Sequence, residues 1–286
     1  MTRRPEEAVL EALVARIDGT EPGTASPDTV PSGFPSLDRI LGGGFRRQDL
    51  SVLGGDVGSG KSALALAIGI RAARAGFPAL FLSGEMSPAR VLERALALEA
   101  RTPVDHLRQS RLDPATRAAV GAAAMRLRDL PLLIRPLLGE SREEIAGSLD
   151  QVPGRALVIV DSVQLAQSTE PGDRLEERAA ALVRRLKALA LDADLALLAV
   201  AQLPQHRPDR GDARPRLEDF GALGAVKETA DVVLGIYREE MYRPGQGVEG
   251  ATELIVAKNR NGPTGFADLY FSSAALRFED LADPPA

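Results

Sequence analysis

Apolar residues crowd into runs with almost no polar interruption at 50–54, 79–83, 156–160, 195–201, 232–236, 253–257 and 267–271. Such runs are the pattern of strands buried on both faces. Helical patterns lie between several of them. Residues 61–75 are Ala-rich and apolar nearly all round, which predicts a buried helix. Ser87–Pro88 reads as a cap and first helical residue before 89–100, and Asp113–Pro114 does the same before 115–128. Ser141 with Glu144 makes a capping box, and 174–191 predicts a further helix. Strands alternating with helices argue for one α/β domain with a mostly parallel sheet. The last two runs flank Asn261-Gly262-Pro263-Thr264-Gly265, so they are expected to form an antiparallel extension.

Ahead of this pattern, Val9, Leu10, Leu13, Val14 and Ile17 share one face of a short amphipathic helix over 6–17. Residues 19–35 have a Pro/Gly linker composition. The expected organisation is an N-terminal helix and linker over 1–31, followed by the α/β domain over 32–286. A helix of about a dozen residues is marginal alone in water, so its apolar face must dock, on its own domain or on a neighbouring subunit.

Composition narrows the chemistry. The chain of 286 residues has no cysteine, which excludes a disulfide scaffold, a thiolate zinc site and a cysteine nucleophile. His106 and His206 are its only histidines, too few for a histidine-built metal centre. No long uncharged apolar stretch exists, so no membrane span is expected. Glu11, Arg16 and Asp18 break the apolar run that follows the basic N-terminus, which argues against a signal peptide and for a cytoplasmic protein. The net charge of −5 speaks against a whole-surface nucleic-acid binder but leaves room for a local basic track. Lysine stands only at 61, 187, 227 and 258, and every other basic residue is arginine.

One motif carries most of the chemistry. Gly55-Asp56-Val57-Gly58-Ser59-Gly60-Lys61-Ser62 matches the phosphate-loop pattern, between the strand 50–53 and a helix. Its glycines let backbone N–H groups turn inward around phosphate oxygens, Lys61 would reach the β- and γ-phosphates, and Ser62 would ligate Mg²⁺. Asp161 ends the run 156–160, where an acid suits the second Mg²⁺ contact. Glu85 and Gln202 follow the runs 79–83 and 195–201, at the sheet edge where open α/β folds bind ligands. Glu85 is a candidate base for the attacking water, and Gln202 a candidate sensor of the γ-phosphate. Lys258 and Arg260, two residues apart on an extended chain, either reach a phosphate on a neighbouring subunit or belong to an ordinary basic turn. Arg207, Arg210, Arg214 and Arg216 in the loop 203–218, with Lys227, read as a track for nucleic-acid phosphates or as a solvated loop.

Together these residues resemble the C-terminal motor domain of the DnaB family of replicative helicases. The likeness runs through Ser32-Gly33-Phe34-Pro35-Ser36-Leu37-Asp38, Phe81-Leu82-Ser83-Gly84-Glu85-Met86 and Val158-Ile159-Val160-Asp161-Ser162-Val163-Gln164-Leu165. It continues from Ala201-Gln202-Leu203 through Ala230-Asp231-Val232-Val233-Leu234 and Ile236-Tyr237-Arg238-Glu239-Glu240 to Ala257-Lys258-Asn259-Arg260-Asn261-Gly262-Pro263-Thr264-Gly265. The resemblance implies a RecA-like α/β fold and a homo-oligomeric, usually hexameric ring with ATP at subunit interfaces. It implies Lys61 and Ser62 on phosphate and Mg²⁺, Glu85 as base, Asp161 supporting Mg²⁺, and Gln202 coupling the γ-phosphate to DNA loops. Lys258 and Arg260 would act in trans, and the helix at 6–17 takes the place of the family's linker helix.

Three departures qualify the likeness. About thirty residues precede the motor, so the family's primase-contacting N-terminal domain is expected to be missing. Asp219-Phe220-Gly221-Ala222-Leu223-Gly224 stands where the family has Asp-Leu-Arg-Glu-Ser-Gly, replacing an Arg and a Glu used at the DNA backbone. Gly55-Asp56 and Ser83-Gly84-Glu85 also resemble RadA, whose cysteine zinc motif is not present. Two functions therefore stand side by side: an ATP-driven helicase or single-strand DNA translocase, and an ATP-gated assembly or loading factor that forms rings without processive unwinding.

Overall fold

The computed structural model describes residues 28–110, 112–137, 147, 156–163, 174–203, 210–221, 224–245 and 247–282. The helix expected over 6–17, the capping box of Ser141 and Glu144, Gln164, Leu165, Arg207, Ala222 and Leu223 lie outside the described residues.

Eleven strands are described. Short β1 (Thr29–Val30) and β2 (Phe45–Arg46) pair with each other, antiparallel. The rest build one nine-stranded sheet: β3 (Leu50–Gly55), β4 (Ala79–Ser83), β5 (Leu132–Pro136), β6 (Leu157–Asp161), β7 (Ala196–Gln202), β8 (Val232–Arg238), β9 (Ala251–Asn259), β10 (Gly265–Ser272) and β11 (Arg277–Asp280). Their order is β11-β10-β9-β8-β3-β7-β6-β4-β5. From β8 to β5 all neighbours are parallel; β9, β10 and β11 continue the sheet antiparallel, as the Asn-Gly-Pro turn predicts.

The apolar runs are uninterrupted because the sheet is covered on both sides. Along β7, Ala196, Leu198 and Val200 join one core cluster, and Leu197, Ala199 and Ala201 the other. The first cluster holds the helix Lys61–Arg74, buried over most of its length because its small Ala side chains let it settle closely onto the sheet. The second holds the helix Leu175–Asp192, which contributes Val183 and Leu186. The helices Pro88–Ala100 and Pro114–Arg128 start at the expected prolines. Asp113 caps the latter by accepting from the amides of Ala115 at 2.9 Å and Thr116 at 3.0 Å, whereas Ser87 makes no side-chain cap.

Two edge strands escape the sequence pattern. β5 is half-buried along most of its length, and its apolar run Leu132-Leu133-Ile134 stops at Arg135 and Pro136, too short to read as a strand. β11 alternates half-buried with buried positions over four residues.

Candidate nucleotide site

Parallel strands all end at one edge, and the residues singled out by the sequence converge there. Gly55 ends β3, Ser83 ends β4 beside Asp161 of β6, and Gln202 ends β7 opposite Gly55. The loop from β3 turns on Gly58 (φ +79°) and Gly60 (φ +96°), then enters the helix at Lys61. A side chain at Gly60 would meet the ring of Phe278 at 2.9 Å, so this position is closed to larger residues by space as well as by backbone. A cavity of about 520 Å³ opens over the loop, lined among others by Gly58, Gly60, Lys61, Ser62, Glu85, Asp161 and Gln202.

The electrostatics of this cleft are uneven. Asp161 is 1% exposed, and neither of its carboxylate oxygens has a hydrogen-bond partner of good geometry among the described residues. Burial pushes its pKa up to about 6; the neighbouring Glu85 adds to the rise, while the Ser62 hydroxyl, Lys61 and Arg94 oppose it. A buried carboxylate with open lone pairs beside a serine hydroxyl is a donor set that fits a hard divalent cation such as Mg²⁺. Lys61 is shifted down by burial, against the pull of Asp161, Glu85 and Asp56. Its ammonium donates to the carbonyl of Asp56 at 2.8 Å. Glu85 Oε1 accepts from the hydroxyl of Ser162 at 3.0 Å, and the Asp161–Ser162 peptide is cis.

Two further cations line the cleft that the sequence reading passed over. Arg94 projects from the helix that follows Glu85, and burial lowers its pKa. Arg238, at the end of β8, donates to the carbonyl of Gly58 at 3.0 Å, pairs with Glu240, and stacks over Phe271 at 4.4 Å. The signal for Arg238 was its position at a strand end, shared with Asp161 and Gln202. Arg94 carried only a helical position one turn or two beyond the acid. Tyr242 also reaches the loop, its hydroxyl donating to Asp56 Oδ2.

Lys258 and Arg260 do not enter this cleft. They lie where β9 ends, against the start of β8, at the opposite edge of the sheet. Lys258 donates to the carbonyls of Lys227 at 2.7 Å and Ala230 at 2.5 Å. Arg260 donates to the carbonyl of Glu228 at 2.9 Å and lies 3.0 Å from Asp231 Oδ1.

The basic track expected in the loop 203–218 is largely spent inside the molecule. Arg214 forks onto Glu253 at 2.7 and 2.5 Å and stacks over Tyr237 at 4.7 Å, so its charge is held by the sheet. Arg210 donates from Nη1 to both carboxylate oxygens of Asp219 at 2.8 and 2.7 Å, and from Nη2 to the carbonyl of Arg214 at 2.6 Å. Lys227 sits 3.5 Å from Glu218. Arg216 is exposed; its backbone amide donates to Asp219 at 2.7 Å and its carbonyl accepts from the Asp219 amide at 3.0 Å.

A parallel sheet with a glycine loop at the tip of β3, acids at the tips of neighbouring strands and an antiparallel extension defines the RecA-like class of phosphate-loop folds. The chain belongs to the DnaB-like helicase C-terminal domain family, whose sequence model matches residues 29–280. It is 32% identical over 279 residues to the replicative DNA helicase DnaB of Leifsonia xyli subsp. xyli, covering 95% of this chain and 61% of that protein. With the replicative DNA helicase DnaB of Geobacillus stearothermophilus it shares 29% identity over 257 residues, 88% of this chain and 56% of the relative. The chain thus spans about three-fifths of the length of these curated relatives. Among solved structures it is similar to an isolated ATPase domain, with a TM-score of 0.87 and 25% identity over 98% of this chain and 100% of that one. A DnaB-like replicative helicase, described with its interactions with primase, superposes with a TM-score of 0.88 and 25% identity over 97% of this chain and 68% of that one. Among the described residues no helix is long and apolar enough to cross a membrane.

Proposed function

We propose that the chain is the ATP-hydrolysing motor of a DnaB-like DNA helicase or single-strand DNA translocase, acting in the cytoplasm as a homo-oligomeric, hexameric ring. The observation that carries this reading is the convergence of Lys61, Glu85 and the buried, unsatisfied Asp161 on one cleft. A protein that only binds nucleotide has no need of a carboxylate placed beside the phosphate cradle.

In this reading the backbone amides from Gly55 to Gly60, including Asp56, Val57, Gly58 and Ser59, wrap the phosphates of ATP, and Lys61 leaves the Asp56 carbonyl to take the β- and γ-phosphates. Ser62 and Asp161 hold Mg²⁺, which when bound neutralises charge developing on the phosphates. Glu85, its carboxylate oriented by Ser162, accepts the proton of the attacking water. Gln202 reports the state of the γ-phosphate to the segment that follows β7. Lys258 and Arg260 stabilise the charge on the neighbour's nucleotide in trans.

The assembly-factor reading keeps one specific observation: Gly221 (φ +58°), with open space around it, replaces the arginine of the family pattern. Steady-state ATPase assays with and without single-stranded DNA, paired with a fork-unwinding assay, test the proposal. Stimulation by DNA together with strand displacement supports the motor. ATPase indifferent to DNA and no displacement would replace it with the assembly factor.

A further inference from the structure

Asp231 immediately precedes β8 at the sheet edge remote from the cleft and is 1% exposed, yet three separate parts of the chain converge on its carboxylate. Its Oδ2 accepts from the backbone amide of Leu50 at 2.9 Å and from Lys187 at 2.6 Å. Its Oδ1 lies 3.0 Å from Nη1 of Arg260. The backbone closes the same contact, because the amide of Arg260 donates to the carbonyl of Asp231 at 2.8 Å. Arg260 is therefore fixed at its root and at its head, with Glu228 supplying a further acceptor.

We propose that Asp231 is the positioning residue for Arg260, holding its guanidinium in the pose that meets the neighbouring subunit's nucleotide; this rests on the trans role given to Arg260 above. Despite these contacts the Arg260 side chain is 50% exposed, and each terminal nitrogen keeps a second N–H beyond the one facing Asp231 or Glu228. A long arginine side chain loses rotamer freedom when it binds a phosphate; clamping it beforehand removes that cost from the assembled site. Lys258 is held on the carbonyls of Lys227 and Ala230, within the same short segment, so both cations are set by residues 227–231. Leu50 begins the strand that ends in the phosphate loop. One carboxylate thus fixes the root of this chain's own phosphate strand relative to the cation offered to the next subunit.

The test uses mixed rings of the whole chain. Asp231→Asn alone is expected to lower the ATPase kcat by about ten- to a hundredfold, as for loss of a placed charge, with KM within about twofold. Lys61→Ala alone is inactive but still presents a normal Arg260. Mixing the two joins an intact phosphate loop to an intact Arg260 at some interfaces, and activity is expected to return well above either parent. Because Asp231→Asn removes the nearer of the two carboxylates facing the part-buried Lys187, leaving Asp49 at 3.6 Å, the double variant Asp231→Asn/Lys187→Met is run alongside, each checked by circular dichroism. The mixture of Arg260→Ala with Lys61→Ala is the control. Recovery in the control but in neither Asp231 mixture means Asp231 acts on its own chain, which overturns the proposal and leaves the trans reading standing. No recovery in any mixture removes the trans reading, and the positioning role falls with it.

Discussion

Ser162 donates its hydroxyl proton to Oε1 of Glu85 across 3.0 Å, joining the loops that leave β6 and β4. The bond restricts the carboxylate to one orientation over the cleft, next to a strand pair whose register already sets Ser83 beside Asp161. For the base role proposed for Glu85, place matters as much as charge.

Glu85→Gln keeps the shape and loses the base. ATP hydrolysis is expected to fall by about a hundred- to ten-thousandfold, while binding of a fluorescent ATP analogue stays near normal. Ser162→Ala loses only the orienting bond, worth about 1 kcal/mol, and kcat should drop roughly fivefold. Turnover by Glu85→Gln at the native rate would move the base to another acid.

Lys61→Ala removes the cation at the helix entrance. Hydrolysis should vanish and nucleotide affinity should weaken by at least about tenfold, since a charge-assisted phosphate contact contributes roughly 1.5–3 kcal/mol. Isothermal titration with a non-hydrolysable analogue measures this. Unchanged affinity would place the phosphates elsewhere.

Asp161 makes the fold pH-sensitive in an unusual direction. Burial lifts its pKa from 3.8 to about 6, so the folded chain holds this proton more tightly than the unfolded chain. Its contribution to stability is therefore greatest below about 4, falls as pH rises toward about 6, and is level above that. Asp161→Asn abolishes the charge. Its stability relative to the native chain should climb across that window by on the order of 2 kcal/mol, measured by urea unfolding with a chelator present. A difference between the two proteins that does not vary from pH 4 to 8 would show that the ionised carboxylate carries no burial cost.

The loop arginines should separate by function. Arg214→Ala is expected to cost about 1 kcal/mol of stability by freeing Glu253 and uncovering Tyr237, and to leave the salt dependence of oligo-dT binding unchanged. Arg216→Ala should leave stability alone and, if this loop meets DNA, reduce the log–log salt slope by roughly 0.7. Fluorescence anisotropy at several salt concentrations distinguishes them; a shallower slope for Arg214→Ala would mean that its ion pair opens on DNA.

The parts of the site that were legible in the sequence are local. The phosphate loop announces itself because glycine spacing, lysine and the following helix lie within a few residues. Asp161, Glu85 and Gln202 are marked by where apolar runs stop. What escaped depends on partners distant along the chain. Arg214 reads as a free loop cation until Glu253, on β9, is folded against it. Lys187 reads as a helix-surface residue, yet its ammonium closes on Asp231 and on the carbonyl of Gln48. Edge strand β5 was hidden because its apolar run is only Leu132-Leu133-Ile134, closed in between Pro131 and Arg135.

The sheet carries its two chemical offerings on different flanks. The phosphate cradle sits where the parallel strands end, and Arg260 sits beyond Asn259, near where they begin. On the trans role proposed for Arg260, each copy therefore presents a receiving surface and a giving surface at opposite ends of its strands. Repeated head to tail, that proposed pairing is complete only when the last copy meets the first. A rotation that closes yields a ring with every nucleotide site filled in the same sense; one that does not yields an open helix with a single unfinished site at one end. On that proposal, the direction of the assembly is a property of the protomer itself.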